Sequence, residues 1–370
     1  MPGRRHRVVL GRTADEGRGV ERTVDWVDGA VELIDQTLLP QQERVLRIED
    51  VPTLVDAISR LAVRGAPALG VAGAYGVVLA MLTHDPLDDT AAFEAAVASI
   101  REARPTAVNL ARGVDLALAS VPEGIDAVRA AADELRDDEV AASWSMGMRG
   151  ADLIAELAPI PTRAMTICNT GGLAAVERGT ALGVIQELHE RGQLIEALPL
   201  ETRPLLQGGR LTTWELGRMG APHRLLVDSA AAAVLAGGGA DVVLVGADRI
   251  ALDGSAANKI GTFALALAAR HAGVPFLVVA PESTVDPDTA TGDEIAIEDR
   301  GVGEVISVRG TPIATPDTAA LNPAFDVTPA SLITAIVTDR RVIRLDRGER
   351  LHTVTPGVRL EPAWDRGRTG

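Results

Sequence analysis

Short apolar runs alternate with helical segments throughout the second half of the chain. The apolar runs are RAMTICN, LIEALPLE, HRLLVD, DVVLVGAD and PFLVVAP, and segments such as GTALGVIQELHERG and NKIGTFALALAARHAG separate them. This rhythm predicts βαβ units and a parallel sheet. Uninterrupted apolar strands such as VVLV suit a sheet covered on both faces, so we expect a Rossmann-like, doubly wound α/β domain. TPASLITAIVTD is predicted to close it as a helix, with Thr328 as N-cap and Pro329 at the first helical position.

The first half has a different pattern. VDWVDGAVELIDQTLLP has short apolar runs broken by Asp-Gly and Pro, which predicts a small antiparallel sheet. From Val51 to about Leu157 the apolar spacing is helical, and GVAGAYGVVLAML is interpreted as a buried helix. We therefore predict a smaller, mostly helical N-terminal domain over 1–145, the α/β domain over 146–352 and a flexible tail over 353–370. The polar, Arg-rich first 25 residues or so are interpreted as a strand with a loose arm.

Composition excludes several classes of function. The formal net charge of −15, without a Lys/Arg cluster large enough to form a basic face, argues against nucleic-acid binding. A single cysteine excludes an intrachain disulfide framework and fits a reducing, cytoplasmic compartment. No run has the length of a membrane span or the pattern of a secretory signal. HxxxH, HExxH and GxxxxGK[ST] spacings are absent, and no GxGxxG follows the first strand of the α/β half, so we expect no metal and no bound nucleotide cofactor.

Four polar or reactive residues follow predicted strands. They are Cys168, Glu201, Asp228 and Asp248. Because ligands bind beyond the carboxyl ends of strands in an open parallel sheet, these side chains are expected on one rim. The sequence around Cys168 is compatible with two interpretations, a buried packing residue or a reactive thiol beside the Gly171-Gly172 turn. Asp248 has three interpretations, namely a loop carboxylate, an ion pair with Arg249, or a buried general acid.

Lys259 is the only lysine in a chain that otherwise uses arginine. A site that needs a compact point charge would resist replacement by a planar guanidinium, so Lys259 is a candidate anion ligand, expected at the start of a helix. Arg64-Gly65-Ala66, at a predicted helix junction, and Arg104 are weaker candidates for binding phosphate. Gln207, followed by two glycines, is a weak candidate for binding a sugar hydroxyl.

Several of these segments together resemble methylthioribose-1-phosphate isomerase. The runs RGAPALG, ARPTAVNL, ICNTGGLA, GTALGVI, ETRPLLQGGRLTTWEL, GADRIALDGSAANKIGT, PESTVD and NPAFDVTPASLITAIVTD follow the family's order over about residues 60–340. The wider superfamily includes regulatory subunits of eukaryotic initiation factor 2B and ribose-1,5-bisphosphate isomerase. The resemblance implies a cofactor-free, homodimeric isomerase of 5-methylthioribose 1-phosphate in methionine salvage.

The resemblance also implies roles for individual residues. Asp248 would be the proton donor and Cys168 its catalytic partner. Substrate would be bound by Arg64, Gly65, Ala66, Arg104, Gln207, Asn258 and Lys259. The route of the C2 hydrogen stays open, since Cys168 would either carry it through an enolate or only shape the site for a hydride shift.

The chain departs from the family pattern at a few positions. Ile167 stands where the family usually has His, and Asp228-Ser229-Ala230-Ala231 replaces Asp-Asn/Ser-Met-Ala. These departures leave open a related substrate, 5-deoxyribose 1-phosphate or ribose 1,5-bisphosphate. A non-catalytic subunit of the initiation-factor type is the non-enzyme alternative, and the presence of Cys168, Asp248 and Lys259 argues against it.

Overall fold

The computed structural model describes residues 22–105 and 107–361. Most of the strand and arm predicted for the first 25 residues lies outside these ranges. The chain forms two compact units. The first runs to Val140 and also includes Gly172–Glu177, whereas the second comprises Ala141–Gly171 and the chain from Arg178 onward. The boundary near residue 140 falls within a helix, a few residues before the predicted boundary at 145.

The first unit combines a small sheet with helices. Its antiparallel sheet has the order β1-β2-β3, which confirms the predicted small antiparallel sheet. The strands are β1 (Val24–Val27), β2 (Ala30–Ile34) and β3 (Val45–Ile48). The helices are α1 (Val51–Ser59), α2 (Ala66–Thr83), α3 (Thr90–Arg101), α4 (Val108–Leu118), the start of α5 (Ile125–Leu157) and α6 (Gly172–Ala175).

Helix α2 is the centre of the first unit. Fourteen of its 18 residues are buried, and it packs against α1, α3 and α4. Within the described ranges it is the one helix whose length and apolarity would suffice to cross a membrane. Because a helix that is apolar all round is buried either in lipid or in a protein core, this packing identifies α2 as the core helix that the sequence predicts.

The second unit is built on a six-stranded sheet with the order β14-β13-β9-β6-β4-β5. Five strands are parallel and β14 is an antiparallel edge. The strands are β4 (Thr162–Thr166), β5 (Leu194–Pro199), β6 (Val242–Val245), β9 (Phe276–Val279), β13 (Ala335–Val337) and β14 (Val342–Ile343). The chain places β5 on one side of β4 and β6 on the other, so the topological switch point lies between β4 and β6.

Smaller elements surround this sheet. A second sheet contains β7 (Arg249–Ile250), β8 (Ala256–Lys259) and β12 (Phe325–Thr328), and a hairpin joins β10 (Ser307–Val308) to β11 (Thr311–Pro312). The helices are α7 (Ala181–Glu190), α8 (Thr213–Arg218), α9 (Ala231–Ala236), α10 (Thr262–Ala272) and α11 (Gly303–Ile306), with a π-helical turn at Gly208–Thr212 before α8.

Successive strand residues are buried on opposite faces of the six-stranded sheet. Val243 and Val245 belong to one apolar cluster, whereas Val242 and Leu244 belong to the other. This two-sided burial explains the uninterrupted apolar runs. It confirms the doubly wound α/β class predicted from the sequence.

Two predicted elements are wrong. Thr328, the predicted N-cap, is the last residue of β12, and a 3₁₀ turn and strand β13 replace the helix. The segment TAIVT is rich in β-branched residues and supplies the fifth parallel strand, so sheet pairing overrides its helical spacing. HRLLVD forms isolated bridges from His223 and Leu226 to β5 and its extension instead of a full strand.

The described part of the predicted tail is attached to the second unit. Arg359 Nε donates to Asp339 Oδ2 at 2.7 Å. The N–H of Leu360 donates to Ser145 Oγ at 2.8 Å. Residues 362–370 lie outside the described ranges.

Candidate active site

Cys168 and Asp248 follow the two strands that flank the switch point. Cys168 lies two residues beyond the end of β4, and Asp248 lies three residues beyond the end of β6. A Cβ on Gly246 would lie 2.9 Å from Thr170 Cγ2. The loops after these strands therefore pack against each other at the carboxyl rim, where open α/β sheets bind ligands.

The backbone of Cys168 is in the left-handed region, with φ of 68°. Its N–H donates to Thr202 Oγ1 at 2.9 Å, and its carbonyl accepts from Thr212 Oγ1 at 2.7 Å. Gln207 Nε2 donates to the Cys168 Sγ at 3.4 Å. Cys168 is 9% exposed, so the site has a mostly buried cysteine with an amide donor directed at its sulfur.

Gln207 is itself 4% exposed. Its Oε1 is buried and has no hydrogen-bond partner in the described protein. A buried carbonyl oxygen without a donor is uncommon. This oxygen is therefore available to accept a hydrogen bond from a ligand hydroxyl beside Cys168.

Asp248 is exposed. Its backbone N–H donates to the carbonyl of Ala257 at 2.8 Å, which places Asp248 beside Asn258 on β8. The neighbouring Arg249 forms an ion pair with Asp286 at 3.1 Å. The general-acid interpretation expects a buried carboxyl group, and this chain does not bury Asp248.

Lys259 is the last residue of strand β8, so its predicted position at a helix start is wrong. Its Nζ, which is mostly buried, donates to the carbonyl of Ala324 at 2.8 Å and lies 4.3 Å from the centre of the Phe325 ring. Antiparallel pairing of β8 with β12 extends the segment and brings Lys259 opposite Phe325. Asn258, also buried, donates from Nδ2 to Thr262 Oγ1 at 3.0 Å.

The amino terminus of α10 is already occupied by a carboxylate of the protein. The N–H groups of Gly261 and Phe263 donate to Asp326 at 2.7 and 3.0 Å. Burial raises the pKa of Asp326 above its usual range, against the lowering effect of these two amides and of Lys259. An anion bound by the helix dipole, as the sequence predicts at Lys259, would have to compete with this carboxylate.

The other two rim residues, Glu201 and Asp228, are half-buried. Asp228 accepts from the N–H groups of Thr202 and Arg203 at 2.8 and 2.7 Å. It therefore supports the loop that contacts Cys168. The sequence singles out Asp228 by its place after an apolar run but gives no signal for Thr202 or Thr212, whose roles depend on tertiary hydrogen bonds.

Arg64, Gly65, Ala66 and Arg104 lie in the first unit. Gly65 precedes α2 with φ of 94°, and a Cβ there would lie 2.4 Å from the carbonyl oxygen of Ala174. Only glycine fits this combination of left-handed backbone and close approach. Arg64 and Arg104 are half-buried, each at the junction that the sequence predicts.

Ile167, the departure from the family pattern, is 1% exposed and belongs to an apolar cluster of the second unit. A Cβ on Gly261 would lie 3.1 Å from its Cδ1. The departure therefore falls on a packing position.

Comparisons with known proteins identify the family of the chain. Residues 62–344 match the initiation factor 2 subunit family. Methylthioribose-1-phosphate isomerases from Pelotomaculum thermopropionicum and Heliobacterium modesticaldum are 42% and 46% identical, over 91% and 87% of this chain and 94% and 95% of theirs. A probable bifunctional methylthioribose-1-phosphate isomerase/methylthioribulose-1-phosphate dehydratase from Nocardia farcinica is 50% identical over 87% of the chain, which spans 59% of that relative's length.

Two solved structures share the fold. The 5-methylthioribose 1-phosphate isomerase of Pyrococcus horikoshii has a TM-score of 0.82 and 39% identity, covering 88% of this chain and 93% of its own. The translation initiation factor eIF-2B subunit delta of A. fulgidus has a TM-score of 0.79 and 40% identity, covering 87% and 96%. The chain belongs to the initiation factor 2 subunit family and, within it, groups with the methylthioribose-1-phosphate isomerases.

Proposed function

We propose that this chain converts 5-methylthio-D-ribose 1-phosphate to 5-methylthio-D-ribulose 1-phosphate, a step of methionine salvage. The observation that carries the proposal is the position of Cys168 and Asp248 after the two strands of the switch point. The chain is also 42–50% identical to relatives named methylthioribose-1-phosphate isomerase, one of them as part of a bifunctional protein. The dehydratase half of the bifunctional relative is not part of the proposal, because the chain spans only 59% of that protein.

The substrate dictates which groups an isomerase needs. A phosphate on the anomeric oxygen blocks the spontaneous ring opening of a free sugar, so the enzyme must cleave the bond between C1 and the ring oxygen. A general acid must protonate that oxygen, and a second group must move hydrogen from C2 to C1. One carboxyl and one thiol at the same rim satisfy this requirement.

In the proposed mechanism Asp248 donates its proton to the ring oxygen as the bond to C1 breaks. The Cys168 thiolate then removes the C2 proton, and the released electron pair forms a C1–C2 double bond. The resulting enol passes its C2 hydroxyl proton to the Asp248 carboxylate, and the Cys168 thiol protonates C1. Both groups regain their initial state, and no redox partner is needed.

Two features of the site support these roles. The amide donor of Gln207 at 3.4 Å stabilises negative charge on Cys168 Sγ, which favours the enolate route over a hydride shift. Substrate bound over the exposed Asp248 would displace water from it, and desolvation raises the pKa of a carboxyl group. In D2O, the enolate route places deuterium at C1 of the product, whereas complete retention of the C2 hydrogen would support the hydride shift.

Substrate binding completes the proposal. We assign it to seven residues, Arg64, Gly65, Ala66, Arg104, Gln207, Asn258 and Lys259. We further propose a cytoplasmic homodimer that needs no metal or cofactor and acts on a small sugar phosphate, without a nucleic-acid or membrane partner. Turnover that survives EDTA and dialysis would support the cofactor-free assignment, and sedimentation analysis tests the dimer.

A direct test compares turnover of three substrates by the purified chain. We expect 5-methylthioribose 1-phosphate to be preferred over 5-deoxyribose 1-phosphate and ribose 1,5-bisphosphate. Preference for either competitor would reassign the substrate. Absence of turnover on all three would favour a non-catalytic subunit of the initiation-factor type, the class of protein named for the A. fulgidus structure at 40% identity.

A further inference from the structure

Cys168 has a backbone conformation that a non-glycine residue rarely adopts. Its φ of 68° lies in the left-handed region, where the Cβ crowds the following peptide. Residues in such conformations persist only when their surroundings hold them, and they concentrate at functional sites. The structure therefore needs a device that fixes the backbone of this residue.

Two buried hydroxyl groups hold the peptide groups on either side of the Cys168 Cα. Thr202 Oγ1 accepts the N–H at 2.9 Å, and Thr212 Oγ1 donates to the carbonyl at 2.7 Å. Thr202 directs its own hydroxyl proton to the carbonyl of Leu200 at 2.9 Å, so a lone pair is left for the N–H of Cys168. Both threonines are at most 1% exposed, which leaves no water to replace these bonds.

A carboxylate in turn fixes Thr202. The two oxygens of Asp228 accept from the N–H groups of Thr202 and Arg203 at 2.8 and 2.7 Å. Thr202 also has a left-handed backbone, with φ of 65°. A bidentate carboxylate on successive amides is a strong, directional restraint, and it sets the position of the hydroxyl that holds Cys168.

We propose that Thr202 and Asp228 are positioning residues for Cys168, with Asp228 acting through Thr202. They keep the cysteine backbone left-handed so that Sγ stays beside Gln207 Nε2 and faces the substrate. Neither residue is assigned a contact with the reacting atoms. The inference rests on the proposed function, because it assigns Cys168 the proton transfer between C2 and C1.

Thr202→Val and Thr202→Ser provide the primary test. Valine keeps the shape and removes the hydroxyl, so kcat should fall about 10- to 100-fold, the range that displacement of a reacting group by about 1 Å produces, while KM stays within about threefold. Serine keeps Oγ and should restore near wild-type kcat. The control is Thr166→Val, because the buried Thr166 Oγ1 has no hydrogen-bond partner in the described protein.

Asp228→Asn tests the second link and remains informative where Thr202→Val does not fold. Asparagine presents an NH2 group to one of the two amides, so kcat should again fall with little change in KM. Its control is Asp241→Asn, because Asp241 also accepts a backbone N–H, that of Arg163 at 2.8 Å, but near the start of β4. This control variant should leave kcat unchanged. Wild-type kcat in folded Asp228→Asn would overturn the role of Asp228.

A coupling measurement separates positioning from a merely structural effect. In a Cys168→Ala background, Thr202→Val should change the residual rate by less than about twofold, because the group it positions is gone. If Thr202→Val still lowered the rate about 10- to 100-fold in the Cys168→Ala background, the proposal would be overturned. So would equal kcat values for Thr202→Val and Thr166→Val.

Iodoacetamide distinguishes failure of the positioning role from failure of the proposed function. Cys168 is the only cysteine of the chain, so its alkylation reports on the sulfur without any substrate. Thr202→Val should slow alkylation at pH 7 about threefold or more, since Sγ loses the amide donor that stabilises its anion, whereas Thr166→Val should not. Unchanged alkylation refutes positioning even if the chain turns over a different sugar phosphate or none.

Discussion

Replacing Gln207 with methionine should lower activity and raise stability at the same time. Gln207 is 4% exposed, and its Oε1 is buried without a partner in the described protein. An unsatisfied buried polar group costs about 1–3 kcal/mol, and the weak bond from Nε2 to Cys168 Sγ contributes about 0.5–1 kcal/mol to folding. Methionine has a similar volume and removes both the penalty of the unsatisfied oxygen and the smaller gain from the bond to sulfur, so the free energy of unfolding should rise by about 1 kcal/mol.

The same change removes the donor that stabilises charge on Cys168 Sγ. A hydrogen bond to a charged group is worth about 1.5–3 kcal/mol, which corresponds to about a 10- to 150-fold loss in kcat. The assays are urea denaturation and steady-state turnover of 5-methylthioribose 1-phosphate. The control is Gln193→Met, because Gln193 Oε1 is also buried without a partner but lies just before β5, near the opposite edge of the sheet.

Gln193→Met should therefore gain stability and keep wild-type kcat. Two results would refute the reasoning about Gln207. A variant that is less stable than wild type would mean that Oε1 is satisfied in the folded protein. A variant with unchanged kcat would mean that the amide does not act on the sulfur.

Three further predictions concern other residues. Gly65→Ala should destabilise the protein by about 2 kcal/mol or more in thermal unfolding. The control is Gly124→Ala, at nearly the same φ but with open space around its Cβ, which should destabilise the protein by about 1 kcal/mol. Equal losses of stability would show that the backbone around Gly65 moves to make room for a Cβ. Lys259→Ala should raise KM for the sugar phosphate, and Lys259→Arg should also raise it because a guanidinium does not fit the buried Nζ position; a wild-type KM in the arginine variant contradicts the point-charge argument. Burial would raise the pKa of Asp241, but hydrogen bonds from Arg163 outweigh burial and hold the pKa below the ordinary 3.8. The carboxylate therefore stabilises the fold above about pH 3.8, and this stabilisation is lost as the pH falls through the lowered pKa. Asp241→Asn should be less stable than wild type by about 1 kcal/mol at pH 7 and equally stable in acid, and a pH-independent difference in stability would exclude the ion pair as its cause.

The placement of Cys168 and Asp248 on one rim could be predicted from the sequence. Their strands are short, uninterrupted apolar runs, and parallel topology brings the carboxyl ends of such strands to one edge. The sequence does not give the order of strands in the sheet. That order puts the switch point between β4 and β6, the two strands that these residues follow.

The predictions that depended on local spacing were less successful. Lys259 precedes an apolar helical pattern, so the sequence indicates a helix start, yet pairing with Phe325, 66 residues later in the chain, makes it the end of a strand. The same long-range pairing places Asp326 at the amino terminus of α10. Neither contact leaves a periodic signal in the sequence, because each depends on a non-local strand register.

The restraint on the Cys168 backbone was also beyond sequence reasoning. Thr202 and Thr212 are ordinary polar residues within the run ETRPLLQGGRLTTWEL. Their importance depends on a left-handed φ at Cys168 and on burial that removes competing water. Side-chain hydrogen bonds of this kind are visible only when the loops after two strands are placed together.

The most direct test of the central claim is kcat for Asp248→Asn, Cys168→Ala and the double variant on 5-methylthioribose 1-phosphate. Each single substitution should lower kcat by about 10²–10⁴-fold, the typical contribution of a general acid or base, with substrate binding close to wild type. Because the two groups act as one unit, the double variant should be scarcely worse than the poorer single variant. A folded Cys168→Ala protein with wild-type kcat would contradict the proposed mechanism.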